Sequence, residues 1–227
     1  MTRRARLSIP GIPWHIIQRG NNRSVCFYTD EDYDYYLYNL KEQAYMHGCA
    51  IHAFVLMTNH VHLLLTPEKE NSASLLMKSL GQRYVQHINR TYKRSGTLWE
   101  GRFRSCLAQA GNYVLACYRY IELNPVRANM VIKPEDYKWS SYNINALGLH
   151  SDIIVPHDQY LRLHADDKTR RKMYKNLFKA HMSENVNNKI RTATNGNYVL
   201  GSERFQKQIE EMLGRRIVKG KFGRPRH

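Results

Sequence analysis

The run Met57-Thr58-Asn59-His60-Val61-His62-Leu63-Leu64-Leu65 decides how this chain folds. Strand side chains alternate with a period of two, so His60 and His62 share one face while Val61 and Leu63 face a core on the other. Cys49 to Met57 just upstream is another strand-like run, and the short Thr58-Asn59 link makes the pair an antiparallel hairpin. Two imidazoles displayed together on a rigid strand are half of a metal site. A pair of half-buried structural histidines has the same sequence, and the tripeptide alone does not separate the two readings.

Upstream of the hairpin, Trp14 to Arg19 reads as a strand closed by the turn residues Gly20-Asn21-Asn22. Thr29 followed by Asp30-Glu31-Asp32 starts a helix, with a hydroxyl cap and acids in the first turn. That helix runs to about His47 and ends at Gly48. Downstream, Pro67 stops the third strand. Ser72 or Ser74 then caps a long helix to about Lys93, with Leu75, Leu76, Leu80, Tyr84, Val85 and Ile88 inward. Phe103 to Ala110 is a fourth strand, and a third helix runs from about Tyr113 to Leu123, broken at Asn124-Pro125. The order β-α-β-β-α-β-α predicts an α+β fold: a ferredoxin-like antiparallel sheet with two helices on one face and an added helix. Beyond Pro134, Tyr137 to Tyr142 is an aromatic packing segment. Residues 151–200 read as weakly amphipathic helices, near Lys168–His181 and Glu184–Thr192, and Ser202 caps a last helix ended by Gly214. The expected organisation is a domain over 1–145, a helical region over 146–214 and a basic tail over 215–227.

At 227 residues the chain is long enough to bury a core, and its net charge of +16 points to an acidic polymer partner, nucleic acid first. An anionic membrane surface or a ribosome-associated role are the alternatives. No run approaches the roughly 18 apolar residues of a membrane span, and Pro10, Gly11 and Pro13 follow the basic N-terminus where a signal peptide needs an apolar stretch. The four cysteines are scattered with no C-x-x-C pair, so zinc binding and disulfides are not implied and a reducing cytoplasm fits.

Two histidines need at least one more protein ligand, and phosphoryl chemistry needs open positions beside it. Tyr120 and Asn124 lie four apart, on one face of the third helix. Asn124 can supply an amide oxygen to a metal, and Tyr120 then sits where its hydroxyl can attack a polarised phosphodiester. Packing plus a helix-end cap accounts for the same spacing. Tyr118 is a rival nucleophile, about 200° round the helix from Tyr120.

His60-Val61-His62 after Met-Thr-Asn, Leu98-Trp99-Glu100-Gly101-Arg102-Phe103, Arg119-Tyr120-Ile121-Glu122-Leu123-Asn124-Pro125-Val126-Arg127-Ala128 and Trp139-Ser140-Ser141-Tyr142 together resemble the REP-associated tyrosine transposases. These are single-tyrosine members of the HUH superfamily, named for its His-hydrophobic-His pair. The resemblance covers residues 8–145 well and extends more weakly through Gly201 to Phe205 and Gly223-Arg224-Pro225. It implies that His60, His62 and Asn124 bind Mg²⁺ or Mn²⁺, and that Tyr120, before Ile-x-Leu-Asn-Pro, is the nucleophile. It implies cleavage of single-stranded DNA beside hairpins of REP-type palindromes, leaving a 5′-phosphotyrosine and a free 3′-OH, without ATP. It implies a bacterial, nucleoid-associated cytoplasmic protein with no membrane partner, working as a monomer or a homodimer. Histidines and an amide suit Mn²⁺, whereas Mg²⁺ prefers carboxylates and water, which DNA phosphates and waters would have to supply.

Other positions carry two readings each. His15, on a strand that neighbours the third in a ferredoxin-like sheet, touches the site or is a hydrogen-bonded sheet residue. Arg102 and Arg104 hold phosphates, and Glu100 supports a ligand histidine, or all three belong to a loop packed by Trp99. Arg127 is a phosphate contact or a helix-end ion pair. Arg19 and Arg23, flanking the first turn, bind DNA or are solvated. Gly223-Arg224-Pro225-Arg226 is similar to the core of an AT-hook, whose arginines enter narrow minor grooves; Arg224 and Arg226 otherwise add salt-dependent backbone affinity. Lys78, Arg83, Arg90, Lys93 and Arg94 form a phosphate-tracking stripe or a solvated helix face. The reading that unites these features is a metal-dependent DNA endonuclease and strand transferase. Its rivals are a nucleic-acid-binding regulator without cleavage on the same scaffold and a rolling-circle replication initiator.

Overall fold

The computed structural model describes residues 7–214 and Ile217. Strand β1 (Trp14–Arg19) leads through a 3₁₀ turn to helix α1 (Asp30–Met46), then to the hairpin of β2 (Cys49–Met57) and β3 (His60–Pro67). Helix α2 (Ser72–Thr91), strand β4 (Arg104–Ala108) and helix α3 (Asn112–Glu122) follow. Short helical segments α4 (Asn124–Arg127), α5 (Tyr142–Asn145) and α6 (Asp158–Leu161) precede α7 (Asp167–Lys179), α8 (Glu184–Gly196), strand β5 (Val199–Leu200) and α9 (Glu203–Leu213).

The sheet order is β2-β3-β1-β4-β5, antiparallel throughout its first four strands. That is the expected ferredoxin-like α+β core. The fifth strand, which pairs with β4 in parallel, is an addition the alternation of residues did not signal. Thr29 and Asp32 form a reciprocal capping box at the start of α1, so two orphan amide donors are satisfied as its sequence predicts. Helix α2 departs from expectation at both its cap and its face. Asn71, with φ 69°, stands at the N-cap, and Ser72 lies inside the helix. Leu76, Leu80, Tyr84 and Ile88 are buried at a spacing of four, which leaves Leu75, one position off that row, 47% exposed.

The two faces of the sheet have different roles. Trp14 and Ile16 of β1 and Val61, Leu63 and Leu65 of β3 are buried, on the face where α1 and α2 pack together. His15, Ile17 and Arg19 of β1 and His60 and His62 of β3 point the other way, toward α3 and α8. The β2 edge is closed by the segment around Trp139-Ser140-Ser141. Leu56 N donates to Trp139 O, Ser141 N donates to Phe54 O, and Ser140 bridges to Val55. At the opposite edge Val199 N of β5 donates to Ile217 O. Both edges are thus engaged by the chain itself, which works against edge-to-edge association. All four cysteines are buried and free. Among the described residues no helix is long and apolar enough to cross a membrane.

Candidate active site

Register brings the site together. Ile17 of β1 pairs with His62 and Arg19 with His60, and on the other side of β1 Cys106 pairs with His15 and Arg104 with Ile17. Paired residues share a face, so three strands supply one floor. Helix α3 stands at one side of it and α8 at the other. Between them lies a cavity of about 580 Å³, lined by His15, His60, His62, Tyr120, Asn124 and Arg127 together with Arg19, Arg104, Arg191 and Thr194. His60, His62, Asn124 and Tyr120, the ligands and nucleophile that the resemblance implies, therefore line one space.

Tyr120 is buried to 8% and stands edge-on to two histidine rings, 5.6 Å from His15 and 5.8 Å from His62. Arg127 donates to the Tyr120 carbonyl at 2.6 Å and lays its guanidinium over the Tyr120 ring at 4.2 Å, fixing the ring by a cation–π contact. Tyr118 is fully buried on the opposite side of α3, with its hydroxyl accepting from His157 N, which excludes it from the cavity. Tyr113 lines a separate pocket with residues of α8 and β5.

The two histidines are held by different partners. His60 Nδ1 lies 2.7 Å from Asn59 Oδ1, and Asn59 Nδ2 donates to Arg23 O, which fixes the amide so that its oxygen faces the ring. His62 Nδ1 lies 2.8 Å from His15 Nε2, and His15 Nδ1 lies 2.8 Å from the Thr194 hydroxyl. Both readings of His15 are therefore true together: it is a hydrogen-bonded sheet residue and it touches the site. Glu100 lies 4.0 Å from Arg104 and supports neither histidine.

Burial, with repulsion from Arg19, lowers His60 to about 4, while the Asn124 side chain, within hydrogen-bonding reach, opposes the shift. Burial also lowers His15 to about 3, with Arg127 adding to the effect. His62 is pushed well below the usual histidine value by burial, then by its histidine and arginine neighbours. Neutral imidazoles are what a metal ligand must be. His60 and His62 each have Nδ1 engaged, which leaves Nε2 for a ligand, whereas His15 has both ring nitrogens engaged. Asn124 Nδ2 is buried without a hydrogen-bond partner. Among the described residues no three His, Cys, Asp or Glu side chains are grouped to hold a metal ion. Two imidazoles and one amide oxygen are a fit for a divalent cation that keeps positions open.

The remaining arginines divide. Arg19, Arg104 and Arg127 rim the cavity, and Arg104 also donates to Asn195 Oδ1. Arg102 lies in an adjoining cleft with Arg19 and Arg104. Arg23 is exposed on the turn after β1 and does not line the cavity. Lys78, Arg83 and Arg90 are exposed on α2, across the sheet from the site. Arg224 and Arg226 lie outside the described residues. The sequence did not point to Arg191, Thr194 or Asn195. All three come from α8, whose polar sequence carries no motif.

A family model described as transposase IS200-like matches residues 8–124, just over half of the chain. The chain belongs to the IS200-like transposases, a family of DNA-cleaving enzymes. Among solved structures, a REP-associated tyrosine transposase bound to a REP hairpin has the same fold. It aligns at 19% identity with a TM-score of 0.58, over 69% of this chain and 93% of that one. A candidate transposase from Deinococcus radiodurans aligns at 20% identity over 57% of this chain and 92% of its own, with a TM-score of 0.37. No curated protein matches the chain in sequence.

Proposed function

We propose that this chain is a metal-dependent endonuclease and strand transferase for single-stranded DNA, working through Tyr120 beside a DNA hairpin. The observation that carries the proposal is the single cavity holding His60, His62, Asn124 and Tyr120 under a rim of arginines. In this reading Arg19, Arg104 and Arg191 bind backbone phosphates and set the strand across the sheet. Arg127 keeps the phenol ring in line. The Tyr120 hydroxyl oxygen attacks phosphorus and the bond from phosphorus to the 3′ oxygen breaks, giving a 5′-phosphotyrosine and a free 3′-OH. Tyr120 gives up one proton and the departing 3′ oxygen takes one, so the step is balanced. Attack by a 3′-OH on the phosphotyrosine reverses it, and the bond energy stored there makes ATP unnecessary. A divalent cation on His60, His62 and Asn124 supplies Lewis-acid polarisation of the scissile phosphate.

The hairpin substrate rests on likeness to the REP-associated transposase, whose structure holds a REP hairpin. The test is a suicide assay with protein, Mn²⁺ and a labelled hairpin oligonucleotide. A covalent adduct on a denaturing gel is expected, abolished in Tyr120→Phe while DNA binding persists. Adduct from Tyr120→Phe at the wild-type level would sink the nucleophile assignment.

A further inference from the structure

We infer that His15 and Thr194 are positioning residues that set which nitrogen of His62 carries the proton, and so present His62 as a ligand. The inference rests on the reading of His62 as a metal ligand and adds a residue from α8, beyond the 8–124 span of the family match.

The direction of the hydrogen bonds follows from one oxygen. Thr194 Oγ1 lies 2.8 Å from Ile190 O. A carbonyl has no proton to give, so the hydroxyl proton points at Ile190. The Thr194 oxygen can then only accept from His15 Nδ1 at 2.8 Å, as it also accepts from the buried Cys106 thiol at 3.3 Å. A neutral His15 with its proton on Nδ1 has a bare Nε2. That nitrogen accepts from His62 Nδ1 at 2.8 Å. His62 therefore keeps its proton on Nδ1, and its Nε2 lone pair is free toward the cavity. The two imidazoles stack 5.1 Å apart at 11°, so ring orientation is set along with protonation. His15, His62 and Thr194 are 1%, 3% and 3% exposed, so water does not compete for these bonds.

His60 reaches the same state by a local route, through Asn59. His62 depends on a residue 132 positions further along the chain. No carboxylate takes part in either arrangement, unlike the usual carboxylate–histidine–metal pattern. A chain of neutral acceptors orients the ring without adding negative charge to a site that must receive DNA phosphate.

The test compares wild type, Thr194→Val and Thr194→Ser as full-length protein. Imidazole ¹⁵N–¹H correlation spectra of the metal-free protein are expected to show His62 protonated at Nδ1 in wild type and Thr194→Ser. In Thr194→Val the His62 signal should shift toward the other or a mixed tautomer. Mn²⁺ titration by calorimetry should give about tenfold weaker binding for Thr194→Val, restored in Thr194→Ser. A folded Thr194→Val with wild-type tautomer and wild-type Mn²⁺ affinity overturns the inference. So does an Nε2-protonated His62 in wild type, which needs no variant to fold. Should wild type bind no Mn²⁺, the metal-site reading fails alone, and the tautomer spectra still decide the relay.

Discussion

At the level of single residues, the site is built from neutral groups kept neutral by burial. Burial lowers His15 to about 3 and His60 and His52 to about 4, and holds His62 well below the usual histidine value. In the unfolded chain these imidazoles return to about 6.5. Below that pH the unfolded state binds protons that the native state refuses, so stability falls as pH drops from about 6.5 toward 4. Glu122 acts in the opposite sense, because burial raises it to about 7 and its contribution weakens as pH climbs from about 4.5 to 7. Four histidines outweigh one carboxyl, and the urea midpoint of the metal-free protein should be clearly lower at pH 5 than at pH 7. Equal midpoints would mean that the histidines protonate within the fold. The sequence made His60, His62, Tyr120 and Asn124 visible because each sits in a short motif with a period or a helical spacing. His15 was visible only as a strand neighbour. Thr194 was not visible at all, since nothing local distinguishes it from any threonine on a polar helix.

At the level of elements, the site depends on how α3 is anchored. Glu122 lies between Tyr120 and Asn124 and is fully buried on the far side of the helix. Its carboxyl accepts from Ser141 Oγ at 2.6 Å, Asn145 Nδ2 at 2.8 Å and the Tyr174 hydroxyl at 2.6 Å. One side chain thereby ties α3 to α5, to α7 and to the segment that closes the β2 edge. Glu122→Ala removes an acceptor from three buried donors. Ser141 Oγ also reaches Phe54 O and Asn145 Nδ2 also reaches His52 O, while the Tyr174 hydroxyl is left with no acceptor. The change should therefore cost roughly 2–3 kcal/mol, read by chemical unfolding. An adduct yield falling at temperatures where the variant is still folded would show the helix loosening before the domain does. A stability loss under about 1 kcal/mol would contradict the anchor. In the sequence Glu122 occupied the unspecified place in Tyr-Ile-x-Leu-Asn-Pro, so its importance was hidden by the motif around it. Strand β1, the hairpin and α1 were legible to within a residue or two because alternation and turn chemistry agree there. A two-residue strand such as β5 has no period to detect, and it exists through its parallel pairing with β4.

At the level of the whole molecule, the charge of +16 sets how DNA is held. Residues from Lys219 onward carry four cations beyond Ile217, which is itself fully buried. Removing them should leave the fold intact and make DNA affinity weaker and less salt-dependent. The log–log slope should flatten by about 0.7 for each single-strand phosphate that the shortened chain no longer neutralises. Filter binding across a salt series reads this directly, and an unchanged slope would place the tail away from DNA. A cut at Arg215 would also remove Ile217 and confound the measurement.

The buried anchoring of α3 has a consequence for partnership between molecules. With Glu122 locked among Ser141, Asn145 and Tyr174 of its own chain, the nucleophile cannot be lent to a neighbour without breaking three buried bonds. Two crippled proteins should therefore fail to rescue each other. A mixture of Tyr120→Phe and His60→Ala chains should form no more adduct than either alone, whereas subunits that trade helices would regenerate an intact site in the mixture.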